Sequence, residues 1–387
     1  MKTKRTVPYN YLPKQFPPFT NIGGNEITVA IIDRIQAVAE RGDFTLGKEV
    51  GEFEEAWATA TGADHAIGMS NGTDAIAIAL DAAGMEVGAE VVTSPVSFIA
   101  TAGGIIQAGG RPKFVDVDSP NAPNITAKTI PADVLASTEW FLPVLWAGSP
   151  HGIADWNTVS GGRVVLDAAQ GVNALVGGKK IGELRNISAA AYSLHPLKNI
   201  NVWGDGGMIS TNHRSVEYNA RLLRNHGLAD RDNWVRPGFN SRLSTVQAAV
   251  GLEVLPSMDF MTSQRESNAK YLIDNLAVAL GSAVSAPHIE SENQHGWHLF
   301  QVLVDYASDR SELVKYLNDN GVEAKVHYDT PLHLQEAMRP LGHVPGEFPN
   351  AEAFCARNVT LPIHEYLNVE DMDYTLEVLR SWAEAGG

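Results

Sequence analysis

The sequence predicts an α/β protein with a mostly parallel sheet in a large domain, followed by a smaller α+β domain. Short apolar segments, such as residues 65–69 and 163–167, alternate with segments whose apolar residues recur at helical spacing, such as residues 27–40. Strands that alternate with helices favour a parallel sheet covered by helices on both faces. Beyond about residue 282 this pattern changes, which indicates a second unit.

The same patterns predict the individual elements. We expect helices at residues 27–40, 50–60, 75–83, 98–108, from 244 onward, 261–280, 311–320 and 369–385. We expect strands at residues 65–69, 90–93, 112–117, 140–146, 163–167, 208–210, 298–304 and 322–328. A chain of 387 residues has room for two domains of about 150 residues or more. We therefore divide it into an arm (1–24), a large domain (25–258) and a small C-terminal domain (259–387).

The start of the chain and its single cysteine bear on where the protein works. Residues 1–24 contain four prolines and no apolar core of the kind that a signal peptide needs, so we expect an extended arm that lies on the body or on a partner. No apolar run is long enough to span a bilayer. Cys355 is the only cysteine, which fits a reducing compartment. These features predict a soluble, cytoplasmic protein.

The charge balance argues against two classes of partner. The chain has 45 acidic and 29 basic residues, a formal net charge of -16. Nucleic acids and anionic membrane surfaces are bound by basic surfaces, so we expect neither partner. An anionic substrate would need local cations. Candidates for contacts with a diphosphate are Lys180, Arg236, Arg242 and Lys325, although each is more often a solvated charge.

The segment AYSLHPLKNINVWGDGG, residues 191–207, surrounds one lysine with apolar residues and ends in a glycine-rich turn. Pro196 disfavours a helix here, so we predict a strand, an irregular loop that bears Lys198, a tight turn and a second strand. Partial burial lowers the pKa of a lysine and makes its amine a better nucleophile. Taken alone, a lysine in a loop is more often an ordinary surface residue.

A second segment, SNGTDAIAIALDAAG, has the pattern of a strand, a glycine turn and a helix start. Free N–H groups and the positive end of the helix dipole would then converge near Gly72, Thr73 and Asp74 and could bind an anion. An ordinary N-cap without a ligand is an equally good interpretation of this segment alone.

Four segments with candidate site residues directly follow predicted strands. In doubly wound sheets, ligands bind beyond the carboxyl ends of the strands. These segments carry Gly72 and Thr73, Phe98, Asp167 to Gln170, and Ser193 to Lys198. A lysine, an aspartate, an anion-binding helix start and an aromatic ring that can cover a flat ring are the groups needed to hold pyridoxal phosphate. In this hypothesis Lys198 forms the imine with the cofactor aldehyde, Asp167 pairs with the pyridine nitrogen and Gln170 bonds the ring oxygen.

The sequence resembles the DegT/DnrJ/EryC1/StrS family of pyridoxal-phosphate-dependent sugar aminotransferases, which have the type I fold of such enzymes. The resemblance runs almost from end to end through ordered blocks: GDFTLGKEVGEFE, SNGTDAIAIAL, SPVSFIATAGGIIQAGGRPKFVDVD, VVLDAAQ, SLHPLKN with GDGG, GFNSRLSTVQAA, HYDTPLHLQ and LPIHEYL. It implies that Lys198 is the Schiff-base lysine. The cofactor-binding residues that it implies are Gly72, Thr73, Asp74, Phe98, Asp167, Gln170, Ser193, Lys198 and Asn240.

The resemblance also implies an assembly and a reaction. Asn240 matches an asparagine that reaches the cofactor phosphate of the other subunit, which implies a homodimer with shared active sites. The implied reaction moves an amino group from L-glutamate or glutamine to a nucleotide-linked 3- or 4-keto-6-deoxy sugar, for a surface polysaccharide such as lipopolysaccharide or for a secondary metabolite. The freed Lys198 would act as general acid and base. Arg242, His327 and Tyr328 are the candidate substrate contacts.

Departures from the family pattern concern the segments expected near the sugar. Ser241 stands where many members have an aromatic residue, LWAGSPHG (145–152) replaces the usual histidine-containing strand end, and Asp329 and Thr330 occupy a stretch that often carries proline. The identity of the sugar therefore does not transfer from the resemblance.

Three other functions stay open at this point. Members of the family that deoxygenate sugars have histidine in place of the lysine, which Lys198 disfavours. Cysteine desulfuration needs a reactive cysteine on a mobile loop, whereas Cys355 lies in a segment of helical, partly buried character. A regulator that keeps the fold without turnover is the third alternative. Histidines such as His195, His226 and His333 show no metal-ligand spacing, so we predict no metal site.

Overall fold

A seven-stranded sheet dominates the computed structural model, which describes residues 5–16, 26–159, 163–280 and 284–385. The strands are β1 (His65–Met69), β2 (Glu90–Thr93), β3 (Arg111–Phe114), β4 (Trp140–Leu142), β5 (Arg163–Asp167), β6 (Leu175–Val176), β7 (Lys179–Lys180), β8 (Ala189–Ser193), β9 (Gly207–Thr211), β10 (Val284–Ser285), β11 (Phe300–Val304) and β12 (Asn358–Leu361). The first sheet has the order β1-β9-β8-β5-β4-β2-β3, and β10-β11-β12 and β6-β7 form smaller sheets.

Helices connect most of the strands of the large sheet. They are α1 (Leu12–Gln15), α2 (Glu26–Arg41), α3 (Lys48–Thr61), α4 (Gly72–Ala82), α5 (Ile99–Gln107), α6 (Ala132–Ser137), α7 (Arg214–Arg224), α8 (Thr245–Val254), α9 (Met258–Leu280), α10 (Ala307–Asp319), α11 (Pro349–Arg357) and α12 (Val369–Glu384). Short 3-10 turns lie between several of them, one of them at Trp146–Gly148. None of the helices described here is both long and apolar enough to cross a membrane.

The large sheet is mostly parallel, as predicted. Only β9 runs antiparallel to its neighbours β1 and β8, and the remaining pairs are parallel. Alternate residues of one strand enter different hydrophobic cores: Val164 and Leu166 pack in one core and Val165 in another. The sheet is therefore covered on both faces. Its strands have continuous apolar sequences because neither face is exposed to solvent.

This topology brings the carboxyl ends of β1, β2, β5 and β8 to the same edge of the sheet. The chain segments that leave these four ends carry the motifs singled out in the sequence. The expectation that these motifs converge is confirmed by the strand order.

A separate core surrounds the three-stranded sheet. Phe300, Val302 and Val304 of β11 pack in it together with apolar residues of α9, α10 and α12. Leu303, on the opposite face of β11, joins the core of the large sheet instead. The division of the chain at residue 258 stays a prediction, and α9 begins at that residue.

The described part of the N-terminal arm lies on its own chain. Val7 forms a parallel bridge with Val322, and the backbone N–H of Tyr9 donates to Glu323 Oε2 at 2.8 Å. The Arg5 guanidinium pairs with Asp371 at 2.8 Å. Residues 1–4 and 17–24 of the predicted arm, which include Pro17 and Pro18, lie outside the described residues.

Three strand predictions differ from the structure, and one of them, at 112–117, ends at Phe114. The predicted strand at 322–328 is wrong: Val322 bridges Val7 and Lys325 bridges Thr360, so the segment meets two different neighbours and forms no ladder with either. The strand predicted at 140–146 ends at Leu142, because Pro143 has no N–H for the ladder. Strand β12 and the short strands β6, β7 and β10 were not predicted.

A buried ion pair ties α9 to the segment before α12. Arg265 Nε lies 2.9 Å from Glu365 Oε2, and the two side chains are 1% and 0% exposed. The guanidinium also donates to the carbonyl oxygens of Trp297 and Ile363, at 2.9 and 3.2 Å. Removal of one partner of a buried pair leaves the other charge desolvated and uncompensated, which typically costs about 3–5 kcal/mol.

We therefore expect Glu365→Ala to lower the free energy of unfolding by about 3–5 kcal/mol. The matched control is Asp274→Ala on α9, whose ion pair with Lys270 is exposed to solvent. It should change stability by less than about 1 kcal/mol. Urea unfolding followed by circular dichroism measures both. Equal effects of the two substitutions would contradict the role given to the buried pair.

Candidate active site

A cleft of about 610 Å³ opens at the edge where the four strands end. It is lined by residues from β1–α4, β2–α5, β5, β8, the N-terminal arm and the segment around residue 327. Ten of the residues predicted from the sequence line it: Gly72, Thr73, Asp74, Phe98, Asp167, Gln170, Ser193, Lys198, His327 and Tyr328. The structure thus brings together side chains that are far apart in the sequence.

Lys198 sits in an irregular loop between β8 and β9, as predicted. Its backbone N–H donates to His195 O at 2.8 Å, and its carbonyl accepts from the Tyr11 hydroxyl at 3.2 Å. The turn that follows the loop requires glycine, because a Cβ on Gly207 would lie 2.3 Å from Asn71 O and one on Gly206 2.7 Å from the Val202 side chain.

Helix α4 begins where β1 ends, and its N-terminus faces the lysine loop. Asn71 is the N-cap, and its Oδ1 accepts from the Asp74 N–H at 2.8 Å. A Cβ on Gly72 would lie 2.8 Å from Ser193 Cβ, so glycine lets the helix start close against β8. The hydroxyl of Ser193 and the first N–H groups of α4 are therefore neighbours, which is a suitable arrangement for a phosphate.

Asp74 is tied into a network beside this site. Its Oδ2 accepts from the Ser70 and Ser241 hydroxyls at 2.5 and 2.7 Å, and Gln107 donates to Oδ1 at 3.0 Å. Burial raises the pKa of Asp74, but these hydrogen bonds outweigh it and leave the pKa below its ordinary value. Ser241 is fully buried and belongs to this network.

Asp167 ends β5 as a buried carboxylate in the floor of the cleft. Its Oδ2 accepts from the Thr101 hydroxyl at 2.6 Å, and its Oδ1 accepts from the Ala169 N–H at 3.1 Å. Burial raises the pKa of Asp167, while both hydrogen bonds and the charge of Lys198 oppose that rise. Gln170 follows on the same loop, and its Oε1 accepts from the Ala147 N–H at 2.6 Å.

Aromatic side chains form one wall of the cleft. Phe98 is half exposed, and its ring centre lies 5.7 Å from that of Tyr328. Tyr328 also packs edge-on against Trp146 at 5.6 Å, and burial raises the pKa of its hydroxyl to about 12. His327 Nδ1 lies 2.9 Å from Thr360 Oγ1, and burial with the nearby Lys325 lowers its pKa to about 4.

Burial dominates the titration of Lys198. It lowers the pKa of the amine to about 8, although the charge of Asp167 acts in the opposite direction. With that pKa, about one amine in ten is neutral at pH 7, against about one in 2,500 for an ordinary exposed lysine. The cleft therefore holds an amine that is able to act as a nucleophile and as a base near neutral pH.

Sequence reasoning missed several groups of the cleft. Thr101, in the first turn of α5, donates a hydrogen bond to Asp167. Tyr9 of the N-terminal arm lines the cleft. His298 lies 3.5 Å from Lys198 through its Nε2. Tyr9 and His298 carry no local signal, because only the tertiary fold brings them beside the lysine. Thr101 could have been found from its helical spacing to Ser97.

Two predicted site residues do not line the cleft of the single chain. Asn240 is exposed and forms an isolated bridge with Asn225. Arg242 bridges Met69 through its backbone, and its guanidinium donates to Asn225 Oδ1 at 2.9 Å. Both lie on the segment between α7 and α8.

A second cluster of ligating groups lies outside the cleft. His151, His288 and Glu290 place ligand atoms within 4.8 Å of one another. His151 already contacts carboxylates through both ring nitrogens, with Glu290 at 2.7 Å and Asp118 at 3.0 Å. The cluster joins residues far apart in sequence, so motif spacing gave no sign of it.

Cys355 lies within α11 and is 2% exposed. Burial raises the pKa of its thiol to about 12, so the thiolate needed for nucleophilic attack is scarce at neutral pH. The predicted helix is confirmed, and Cys355 is more deeply buried than the partial burial that was predicted, which disfavours a desulfurase.

We expect the acetylation rate of Lys198 in the cofactor-free protein to rise with a midpoint near pH 8, because deprotonation of the amine limits the reaction. Trace labelling with acetic anhydride, with each lysine peptide quantified by mass spectrometry, measures this profile. Lys270, exposed on α9, is the internal comparison. A Lys198 midpoint above pH 10 would contradict the burial argument.

Comparisons with known proteins show the family of this chain. The model of the DegT/DnrJ/EryC1/StrS aminotransferase family matches residues 25–380. A pleiotropic regulatory protein of Geobacillus stearothermophilus is 38% identical over 340 residues, which cover 86% of this chain and 89% of that protein. A dTDP-3-amino-3,4,6-trideoxy-alpha-D-glucose transaminase of Streptomyces venezuelae is 31% identical over 355 residues, covering 90% and 91%.

The fold comparison is equally extensive. The crystal structure of S. venezuelae DesV in complex with a ketimine intermediate matches with a TM-score of 0.88 at 28% identity, over 99% of both chains. Aminotransferases of this family depend on pyridoxal phosphate. The donor set in the cleft fits that cofactor: a helix start for its phosphate, a buried carboxylate for its ring nitrogen and an amine for its aldehyde. The chain belongs to the DegT/DnrJ/EryC1/StrS aminotransferase family.

Proposed function

We propose that this protein transfers an amino group from L-glutamate or glutamine to a nucleotide-linked 3- or 4-keto-6-deoxy sugar. The observation that carries the proposal is the meeting of Lys198, Asp167 and the start of α4 in one cleft of about 610 Å³. A cleft of that size accommodates the cofactor together with the reacting part of a sugar.

We assign the cofactor contacts to residues that line the cleft. Gly72, Thr73 and Ser193 hold the phosphate at the start of α4, and the network around Asp74 fixes that helix start. Asp167 pairs with the ring nitrogen, whose positive charge would hold the carboxylate ionised against the effect of burial. Gln170 accepts through Oε1 from Ala147, so its Nε2 is the amide atom left to bond the ring oxygen. Phe98 covers one face of the ring.

When bound, pyridoxal phosphate supplies a carbonyl carbon for the amine and a sink for the electrons released at the substrate carbon. The protein's own contribution to the chemistry is the movement of protons. Lys198, once displaced by the amino donor, stays tethered beside the reacting carbon and carries the proton to and from it. A pKa of about 8 suits this exchange, because both protonation states of the amine are populated near neutral pH.

The sugar is assigned to the aromatic wall. His327, Tyr328 and Lys325 line the cleft, and the Nζ of Lys325 lies 4.3 Å from the Tyr9 ring centre. Among the described residues that line the cleft, the lysines are Lys198 and Lys325. Lys325 is therefore the candidate for contact with the diphosphate.

The protein works as a homodimer in this proposal. Phe98, Ile99, Ile106, Trp234 and Phe239 are large apolar side chains that are 37–68% exposed in the single chain, and burial of such residues favours association. Asn240 follows Phe239 directly, so a partner that covers this segment would receive Asn240. We assign Asn240 to the phosphate of the partner's cofactor and Arg242 to its substrate.

The setting that we propose is the cytoplasm, in the synthesis of an amino sugar for lipopolysaccharide, another surface polysaccharide or a secondary metabolite. A regulatory role is the second candidate, because the relative in Geobacillus stearothermophilus is named a pleiotropic regulatory protein. The retained amine, carboxylate and helix start favour catalysis, since a regulator without turnover would not need Lys198 and Asp167 in one cleft.

We expect purified protein with pyridoxal phosphate to show a visible absorbance band that L-glutamate or glutamine bleaches in the absence of any sugar. Lys198→Ala should lose that band and reduce transfer by about 100- to 10,000-fold, because no tethered amine remains to move the proton. Lys270→Ala, on an exposed face of α9, is the control. A band that neither donor bleaches would overturn the aminotransferase proposal and favour the regulatory candidate.

The shared site predicts complementation between two inactive variants. A mixed dimer of Lys198→Ala and Asn240→Ala chains has one site with an intact lysine and an intact asparagine from the other chain. The purified mixed dimer should therefore have about half of the wild-type activity, and an unsorted random mixture of the two chains about a quarter. Co-expression with two affinity tags and assay of the mixed dimer measures it. Activity no greater than that of either parent would place Asn240 in its own chain's site or outside the site.

A further inference from the structure

His298 lies directly beside the lysine of the cleft. Its Nε2 is 3.5 Å from Lys198 Nζ, and it enters the cleft from the segment that precedes β11. The backbone holds the ring in place, because the N–H of His298 donates to Ala147 O at 2.9 Å and that of Gly296 donates to Gly148 O at 2.8 Å. A Cβ on Gly148 would lie 2.9 Å from Trp297 N, so the two backbone segments are in close contact.

A neighbouring amide determines which nitrogen of His298 carries hydrogen. Asn199 is buried, and its Nδ2 donates to Gly296 O at 2.7 Å. Its Oδ1 therefore faces His298 Nδ1, at 3.3 Å. An amide oxygen only accepts hydrogen bonds, so Nδ1 bears the hydrogen. The unprotonated Nε2 then directs its lone pair to Lys198.

The surroundings keep His298 neutral. The charged and titratable groups that act on its ring are Lys198, Arg265, His327 and His195, and each of them opposes a positive charge there. Burial acts in the same direction and is the largest cause, so the pKa of His298 lies well below the ordinary value. A ring in this state accepts a hydrogen bond from an ammonium group without competing for the proton.

We propose that His298 is a positioning residue for Lys198, and that its neutral Nε2 accepts a hydrogen bond from Nζ and aims the amine at the ligand. A lysine side chain has four rotatable bonds, so a fixed acceptor at its end removes much of its freedom. The bond is stronger to the ammonium form than to the neutral amine. It therefore raises the pKa of Lys198 and partly offsets the burial that lowers it. The proposal rests on the role given to Lys198 under the proposed function.

The test compares two substitutions at one position. His298→Gln places an amide oxygen near the position of Nε2 and keeps an acceptor, whereas His298→Leu keeps bulk and removes it. We expect the pKa of Lys198, measured by trace acetylation of the full-length cofactor-free chain, to fall by about 0.5 to 1 in His298→Leu. It should stay close to the wild-type value in His298→Gln.

His295→Gln is the matched control. His295 is buried three residues earlier in the same segment, but its Nδ1 accepts from the Trp297 N–H and its ring does not line the cleft. A purely structural effect would lower the unfolding temperature in either position and leave the pKa of Lys198 unchanged. As a second readout, single-turnover bleaching by L-glutamate should slow by about 10- to 100-fold in His298→Leu and much less in His298→Gln.

Two results would overturn the proposal. A rise in the pKa of Lys198 in His298→Leu would mean that the ring is cationic or mainly excludes water. An unchanged pKa in both variants would mean that no hydrogen bond forms. If His298→Leu does not fold, His298→Asn replaces it, since its shorter amide still meets Asn199 but cannot reach Lys198. The labelling needs no turnover, so absence of bleaching in the wild type would refute the proposed function without bearing on this one.

Discussion

The candidate site depends on the close backbone approach between the start of α4 and the hairpin of β8 and β9. Glycine at 72 lets the helix start lie against Ser193, and glycine at 207 lets β9 pass beside the Asn71 carbonyl. Side chains at these positions would separate the phosphate-binding end of the site from the loop that bears Lys198. Strand β9 is antiparallel to both β1 and β8, so β1 and β8 are parallel to each other. Helix α4 after β1 and the lysine loop after β8 therefore leave the sheet at the same edge. The one reversed strand is thus part of how the site is built.

The arm and the small sheet complete the cleft from the other side. Tyr11 stacks on the buried Arg265 guanidinium, with 5.1 Å between the group and the ring centre, and donates its hydroxyl to the carbonyl of Lys198. Arg265 in turn binds the carbonyl of Trp297, one residue before His298. One buried cation therefore links α9, the arm and the segment that carries His298. Loss of its partner Glu365 should disturb the wall of the cleft as well as the stability of the fold.

Much of this architecture could be predicted from the sequence, for physical reasons that particular residues make clear. Strands such as Arg163–Asp167 have a continuous apolar centre because both faces of the sheet are buried. The start of α4 could be predicted from Asn71, a residue that favours the N-cap position, and the glycine that follows it. The strand predicted at 322–328 was wrong because residues that favour strands do not reveal whether one neighbouring strand will pair along the whole segment. His298 and Tyr9 were missed because their side chains acquire a role only from the group that the fold brings beside them.

The two central titrating groups of the cleft respond oppositely to the same burial. Burial raises the pKa of Asp167 and lowers that of Lys198, so desolvation alone would leave both neutral, while the attraction between them favours both charges. The neighbouring dipoles decide between these states. Thr101 and the Ala169 N–H donate to Asp167 and stabilise its charged form without themselves titrating. The Nζ of Lys198 lies 3.5 Å from His298 Nε2, the acceptor that we propose orients the amine. The hydrogen bonds to Asp167 thus favour its charged form, whereas burial favours the neutral amine of Lys198, and this asymmetry suits amino-group transfer.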